Sequence, residues 1–354
     1  MLKEIRFQNF RVLKNATVPL SRVTVIAGAN GSGKSTVLQS LRLLGGGTTQ
    51  PLGPQPQVVR GGMFGGGIGG NRDDKWPTFD ELISVERRDS SNISVEFLFD
   101  ETHGNRSVVL KWEKPSQETR PFQLNDDQRA GNSLNQIKVF SLNPAHIAEA
   151  VQLQPNMELG ETGAGLAGVL DNLDDSAHER FQALNVELAK WIPEYDRVKF
   201  EVTDAGTKSF SLRRKLDGLS ICSKDLSEGT LIALVLLTLA HLPNPPVVVG
   251  LEHPDASIHP RLLRKVQDAI YRLAFPEDHG ETRPPTQVIA TTHSPYFLDL
   301  FKEHPEQVVF ANKTDEGVTF QRLSDRPNIG EILPDGPLGD LWYSGLLGGV
   351  PANP

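Results

Sequence analysis

The residues best suited to chemistry lie at 28–35, which read Gly-Ala-Asn-Gly-Ser-Gly-Lys-Ser. They follow the almost wholly apolar, β-branched segment 23–27, which predicts a buried strand, and they open a predicted helix at 34–43. The glycines let the backbone curl so that consecutive N–H groups point at phosphate oxygens, and the helix N-terminus adds partial positive charge. We expect Lys34 to reach the β- and γ-phosphates of a nucleotide and Ser35 to place its hydroxyl on Mg²⁺. The predicted nucleotide contacts here are Gly28, Asn30, Gly31, Ser32, Gly33, Lys34, Ser35 and Thr36.

A second apolar segment, 247–251, ends in a carboxylate at Glu252. ATPases with a phosphate-binding loop need an acidic group at the end of such a strand to hold Mg²⁺, usually through a water molecule. The alternative is that Glu252 is only the solvated end of a strand. The sequence that follows, His-Pro-Asp-Ala-Ser-Ile-His-Pro at 253–260, favours the functional interpretation. Glu252 and Ser35 are therefore the predicted metal contacts.

The predicted elements that position these residues form an α/β pattern at both ends of the chain. We expect the ends, 1–45 and 216–354, to build one nucleotide-binding core of the P-loop, ABC ATPase-like type, and 46–215 to be a mixed β/α insertion. A Gly-rich stretch at 45–70 has a composition that excludes packed core. The predicted strands are 5–10, 23–27, 93–99, 107–112, 136–141, 198–202, 209–213, 247–251 and 287–291. The predicted helices are 34–43, 174–191, 227–241 and 261–273.

Composition limits the classes of function. The 354 residues carry a formal net charge of −8, so the field of the whole chain does not favour nucleic acid, and DNA would need a local basic patch or a partner. A single cysteine, Cys222, excludes a disulfide framework within the chain and suits a reducing compartment. The longest apolar run, 231–240, is shorter than the roughly 20 residues that span a bilayer. We therefore expect a cytoplasmic protein without membrane contact.

Five further segments, in order along the chain, resemble the ABC-type ATPase heads of the group that includes RecF, SMC and OLD (overcoming lysogenization defect) proteins. Residues 2–11, ending in Asn-Phe-Arg, resemble the first strand of these heads, and 225–230, Asp-Leu-Ser-Glu-Gly-Thr, resemble the ABC signature. Residues 252–254, Glu-His-Pro, resemble the Walker B end, and 258–260, Ile-His-Pro, the Leu-His-Pro that follows it. Residues 291–295, Thr-Thr-His-Ser-Pro, resemble the strand that carries the switch histidine.

This resemblance implies a homodimer in which two heads face each other with ATP and Mg²⁺ between them. Ser227 and Gly229 of one head would contact the γ-phosphate held by the other head, and His293 would sense or polarise that phosphate. Glu252, His253 and His293 are then the candidate catalytic residues. From the residues alone, Ser227 also fits a helix N-cap, and both roles agree because a cap aims the helix dipole.

One position departs from the family pattern. His253 stands where these ATPases have the glutamate that orients or activates the attacking water. Three hypotheses stay open. His253 is a working base, or hydrolysis is slow and the protein is an ATP-gated clamp, or Asp255 takes the role. We favour slow hydrolysis.

The roughly sixty residues after His293 are too few for the acidic nuclease domain of OLD proteins. We therefore expect a stand-alone head that works with a separate effector or nuclease chain, or with DNA, in a process such as repair or phage defence. Rival interpretations are a transporter ATPase subunit, a P-loop kinase and a scaffold that binds ATP without hydrolysing it. No residue for adenine stacking is assigned, and Gln152 and Gln154 are Q-loop candidates by sequence position alone.

Overall fold

The computed structural model describes residues 1–46, 82–83, 92–100, 107–113, 136–154, 156–202 and 206–350. The predicted Gly-rich stretch 45–70 lies outside the described residues from position 47 onward. The polar segment 113–135, which the sequence predicts to be loop, also lies outside them, except for Glu113, which is the last residue of a strand. Within the described part, no helix combines the length and apolar character needed to cross a membrane.

The main sheet is built from strands that lie far apart in the sequence. Its members are β3 (Val23–Gly28), β6 (Ile137–Phe140), β10 (Val248–Glu252), β11 (Gln287–Thr292), β12 (Val308–Thr314) and β13 (Gly317–Arg322). Their order is β13-β12-β3-β11-β10-β6. The five strands from β12 to β6 are parallel, and β13 closes one edge in antiparallel orientation. All residues of β3 and β11 are buried, because both faces of the sheet are covered.

An antiparallel sheet covers one face of the main sheet. It is formed by β1 (Leu2–Phe10), β2 (Leu13–Pro19), β4 (Asn92–Phe99) and β5 (Ser107–Glu113), in the order β2-β1-β4-β5. Its apolar side chains share one buried cluster with Ile26 of β3 and Val37 of the following helix. A third, smaller sheet holds β7 (Tyr195–Val202), β8 (Lys208–Arg214) and β9 (Ser220–Cys222).

Helices occupy both sides of the main sheet. They are α1 (Lys34–Gly46), α2 (Pro144–Ile147), α3 (Leu166–Ser176), α4 (His178–Trp191), α5 (Glu228–His241), α6 (Leu263–Ala274), α7 (Pro295–Asp299), α8 (Ile329–Ile332) and α9 (Leu338–Tyr343). Every residue of α5 from Thr230 to His241 is buried, since this helix packs between α4 and α6. The larger apolar cluster joins α4, α5 and α6 to Val25 and Ala27 of β3. These two residues are the neighbours of Ile26 and face the opposite side of the sheet.

Most predicted elements appear close to their expected bounds, with one clear correction. The predicted helix at 174–191 is interrupted at Ala177, whose φ of −144° and ψ of 53° are not helical. Residues 174–176 end α3, and α4 begins at His178. The predicted apolar stripe lies on α4, where Phe181, Leu184, Leu188 and Trp191 are all buried.

The middle of the chain hydrogen-bonds to both of the larger sheets. β4 pairs with β1, and β6 pairs with β10 at the edge of the main sheet. Strands from 46–215 therefore extend sheets begun by the chain ends, and the division at 46 and 215 stays a prediction.

Candidate functional site

The loop at 28–33 leaves the main sheet where its parallel strands end. β3, β10, β11 and β12 have their carboxyl ends at this same edge, which is where open α/β sheets bind ligands. Gly33 has a φ of 85°, and a Cβ on it would stand 2.6 Å from Leu13 Cδ2. Only glycine fits this backbone so close to the start of β2. Asn30 and Gly31 are exposed at the tip of the loop, and Ser32 is buried within it.

Lys34 lies along its own loop. Its ammonium donates hydrogen bonds to the carbonyl oxygens of Gly28, at 2.9 Å, and Ala29, at 2.8 Å. The side chain is buried, and this burial lowers the pKa of Lys34 to about 8. The charge is thus held beside the loop backbone, where a lysine of this motif contacts phosphate.

The predicted oxygen donors for a divalent cation lie on α1 and β10. Ser35, in the first turn of α1, is half-buried, and Glu252, the last residue of β10, is also half-buried. Glu252 pairs in register with Thr291 of β11, and no hydrogen bond or ion pair reaches its carboxylate from another described residue. A hydroxyl and an unpaired carboxylate are hard oxygen ligands, which fit Mg²⁺ shared with phosphate oxygens and water.

The two candidate catalytic histidines lie face to face. The rings of His253 and His293 stack with centroids 4.9 Å apart and planes 17° apart. His253 has a φ of 48°, in the left-handed region that is uncommon for residues other than glycine. Its backbone N–H donates to Thr291 Oγ1 at 3.3 Å, which ties this turn to β11.

His293 is neutral at pH 7 in this arrangement. Partial burial is the largest cause that lowers its pKa, from 6.5 to about 4, and the charges of Lys34 and His253 act in the same direction. A hydrogen bond with the Gly28 backbone opposes them. The hydrogen bond with Gly28 and the influence of the Lys34 charge place the ring of His293 against the phosphate-binding loop.

Asp255 is tied to the end of β11 and the start of α7. Its Oδ2 accepts a hydrogen bond of 2.9 Å from the buried Thr292 hydroxyl, whose oxygen also accepts from the Ser294 N–H at 2.9 Å. Its Oδ1 is buried without a partner in the described part of the chain, and burial raises the pKa of this carboxyl. Asp255 is therefore held to the end of β11 through its Oδ2.

Of the predicted signature residues, Ser227 caps α5, and Glu228 and Gly229 contact the loop that follows Glu252. Ser227 Oγ accepts from the Thr230 N–H at 3.2 Å, as predicted for an N-cap, and Ser227 is exposed. A Cβ on Gly229 would stand 2.5 Å from the carbonyl oxygen of Ser257, and the Ser257 hydroxyl donates to Glu228 Oε2 at 3.0 Å. Within the described residues, no hydrogen bond joins Ser227, Glu228 or Gly229 to residues 28–36.

The structure therefore gathers some predicted site residues and leaves others apart. Stacking and electrostatic contacts join His253, His293 and Lys34. The exposed Gln152 and Gln154 make no side-chain hydrogen bond with other described residues, so their Q-loop assignment stays a prediction. The sequence interpretation missed Lys313, whose ammonium lies near Gly31. No motif marks this lysine, and only the pairing of β12 with β3 could have indicated it.

Comparisons with known proteins identify a family and a fold for this chain. Residues 23–299 match the family described as "AAA domain, putative AbiEii toxin, Type IV TA system". No curated protein matches the sequence.

Among solved structures, similarity is found to the "Crystal structure of the SmcHead bound to the C-winged helix domain of ScpA". Its TM-score is 0.57 at 14% identity, over 90% of this chain and 96% of that one. The SMC head domain from Thermotoga maritima gives a TM-score of 0.47 at 14% identity, over 91% of this chain and 98% of that one. The recombination mediator protein RecF with ATP gives a TM-score of 0.45 at 13% identity, over 83% of this chain and 93% of that one. The TM-score of 0.57 shows that this chain has the fold of an SMC head.

Proposed function

Because the chain belongs to this AAA domain family and has the fold of an ABC-type ATPase head of the RecF and SMC class, we propose that it binds ATP and hydrolyses it slowly as a head-to-head homodimer. The position of the signature is the observation that supports this proposal best. Ser227 is exposed at the start of α5, and Gly229 is packed on Ser257. A signature that is presented outward, without a hydrogen bond to residues 28–36 in the described part of its own chain, suits a second copy that supplies the phosphate.

Each residue of the site has a definite task in this proposal. The backbone N–H groups of the loop and the N-terminus of α1 hold the phosphates, and Lys34 adds a positive charge. Ser35 and Glu252 hold Mg²⁺, which, when bound, neutralises phosphate charge and polarises the terminal phosphate. Neutral His293 orients toward that phosphate through a ring nitrogen. The signature of the partner copy closes the site with the positive end of α5.

Slow hydrolysis follows from the chemistry at position 253. A glutamate there would supply a negative charge that attracts a proton of the attacking water, and His253 supplies none. The His253 ring lies on His293, so its face is engaged in packing. Asp255 is a weak substitute, because it accepts its hydrogen bond from Thr292. The same observations favour, as a second candidate, a scaffold or clamp that binds ATP without hydrolysing it.

The process under ATP control is proposed to be DNA-related, in repair or phage defence, or to act through a separate effector or nuclease chain. The net charge of −8 means that DNA contact would depend on a local basic patch or on that partner. The fold shared with an SMC head motivates this part of the proposal.

The first test is ATP turnover of the purified chain over a range of protein concentrations, with Lys34→Ala as the control. We expect specific activity to rise with concentration and to vanish in the variant. ATP-dependent dimers on a sizing column without turnover would favour the clamp. Failure to bind ATP would refute the proposal.

A mixing experiment tests the composite site directly. Lys34→Ala removes the loop lysine and Ser227→Arg blocks the signature, so each variant alone has no intact site. In a 1:1 mixture, half of the random dimers are mixed, and each mixed dimer keeps one intact site of two. The mixture should therefore recover about a quarter of wild-type activity, given a two-fold symmetric dimer. Activity no greater than the sum of the two variants would contradict a shared site.

A further inference from the structure

The end of β12 runs alongside the phosphate-binding loop. β12 is parallel to β3, and the register pairs Ala311 with Gly28, the first residue of the loop. Residues after Ala311 therefore continue past the sheet edge next to the loop. Lys313 is exposed there, and its Nζ lies 4.0 Å from the point where a Cβ of Gly31 would stand.

The backbone around Lys313 is held in place from two sides. Antiparallel pairing of Lys313 with Val318 fixes it on β13. The Gly349 N–H donates to the side-chain oxygen of Asn312, and Gly349 itself lies against Gly28. The backbone of Lys313 is thus fixed relative to the loop, while its exposed side chain can move.

The charge of Lys313 is not neutralised within the described part of the chain. No carboxylate there forms an ion pair with its ammonium, and no described residue accepts a hydrogen bond from it. Lys34 differs, because it is buried and already donates to two loop carbonyls. Among the described residues, the loop therefore has the enclosed cation of Lys34 and, beside its exposed tip, the solvated cation of Lys313.

We infer that Lys313 is a further nucleotide-binding residue, which supplies a second ammonium to the phosphate chain of a bound nucleoside di- or triphosphate. Lysine binds phosphate as a flexible point charge, so a fixed backbone and a mobile side chain suit this role. A triphosphate carries more negative charge than Lys34 alone can balance. The inference rests on the proposed function and adds a residue that no motif indicates.

The test compares the Kd of ATP for the wild type, Lys313→Gln and Lys313→Arg at low protein concentration. Lys215→Gln is the matched control, because Lys215 is exposed at the turn between β8 and β9 and its loss removes the same charge. Lys313→Gln should weaken binding about tenfold, as expected for one charge-assisted contact, and less at high salt. Lys313→Arg should retain most of the affinity, and Lys215→Gln all of it.

Two kinds of result separate the inference from the proposed function. Wild type that binds ATP, Lys34→Ala that does not, and Lys313→Gln that binds within twofold of wild type would overturn the role of Lys313 alone. An equal loss in Lys215→Gln would also overturn it, since only general charge would then matter. Wild type that does not bind ATP would refute the proposed function itself.

Discussion

The affinity for ATP should fall above pH 8, because the loop lysine loses its proton there. Burial lowers the pKa of Lys34 to about 8 in the nucleotide-free protein. A bound triphosphate stabilises the charged ammonium, so ATP selects the protonated form. Affinity is therefore fully present below this pKa and is lost as the pH rises through it.

The size of the effect follows from the fraction of protein that carries the charge. At pH 7 about nine in ten loops hold a charged Lys34, and at pH 9 about one in eleven does. The Kd for ATP should then rise about tenfold between these two values. Isothermal titration calorimetry in buffers of different ionisation enthalpy measures the accompanying proton uptake. We expect nearly one proton per site at pH 9 and about a tenth of a proton at pH 7.

Lys34→Arg is the control, because a guanidinium keeps its charge across this range. Its affinity will differ from wild type, but it should not change between about pH 7.5 and 9.5. The terminal phosphate of ATP is already ionised over this window, so it does not contribute. A wild-type Kd that stays constant throughout the window, with no proton uptake, would refute the argument from burial of Lys34.

Four other outcomes are expected. His253→Glu should raise ATP turnover by roughly tenfold, about 1.4 kcal/mol off the barrier, while His253→Asn should not; no change with Glu would contradict slow hydrolysis caused by this position. Gly229→Ala should reduce turnover at least about tenfold with ATP binding intact, since its Cβ meets a backbone oxygen at 2.5 Å, whereas Gly330→Ala, in open space, should be neutral. Asp255→Asn should melt no lower than wild type at about pH 7.5, with the difference shrinking as the pH falls, because burial raises the pKa of the native carboxyl and penalises its charged form. Glu281→Gln should lower the free energy of unfolding by about 3 kcal/mol, measured by urea denaturation, because its nearly buried carboxylate pairs with three arginines.

The sequence was most informative where local pattern and tertiary role coincide. Residues 23–27 and 287–291 are apolar or β-branched over most of their length because their strands lie inside a parallel sheet, and both predicted strands are confirmed. The helix at 34 could be located because the loop must end in a helix N-terminus. The break at Ala177 could not be found, since Leu173, Ala177 and Phe181 are spaced four residues apart, and this helical spacing crosses the break without interruption.

Contacts between distant residues could not be predicted from motifs. Lys313 became a candidate only because β12 lies beside β3, with Ala311 in register with Gly28. The contact of Gly229 with Ser257 likewise depends on how α5 meets the loop after β10. Such pairs share no local pattern, because their proximity is set by the packing of whole elements.

The stacked histidines show why such a contact matters for the chemistry. Taken singly, His253 is predicted to replace a glutamate and His293 to be a switch residue, but their ring centroids lie 4.9 Å apart, so a change at one is expected to alter the other. A glutamate at 253 would add a negative charge beside His293 and remove one of the influences that lower its pKa. His253→Glu should therefore move the acid limb of the pH–rate profile to higher pH as well as raise turnover. A faster variant with an unmoved acid limb would mean that position 253 acts on the attacking water alone.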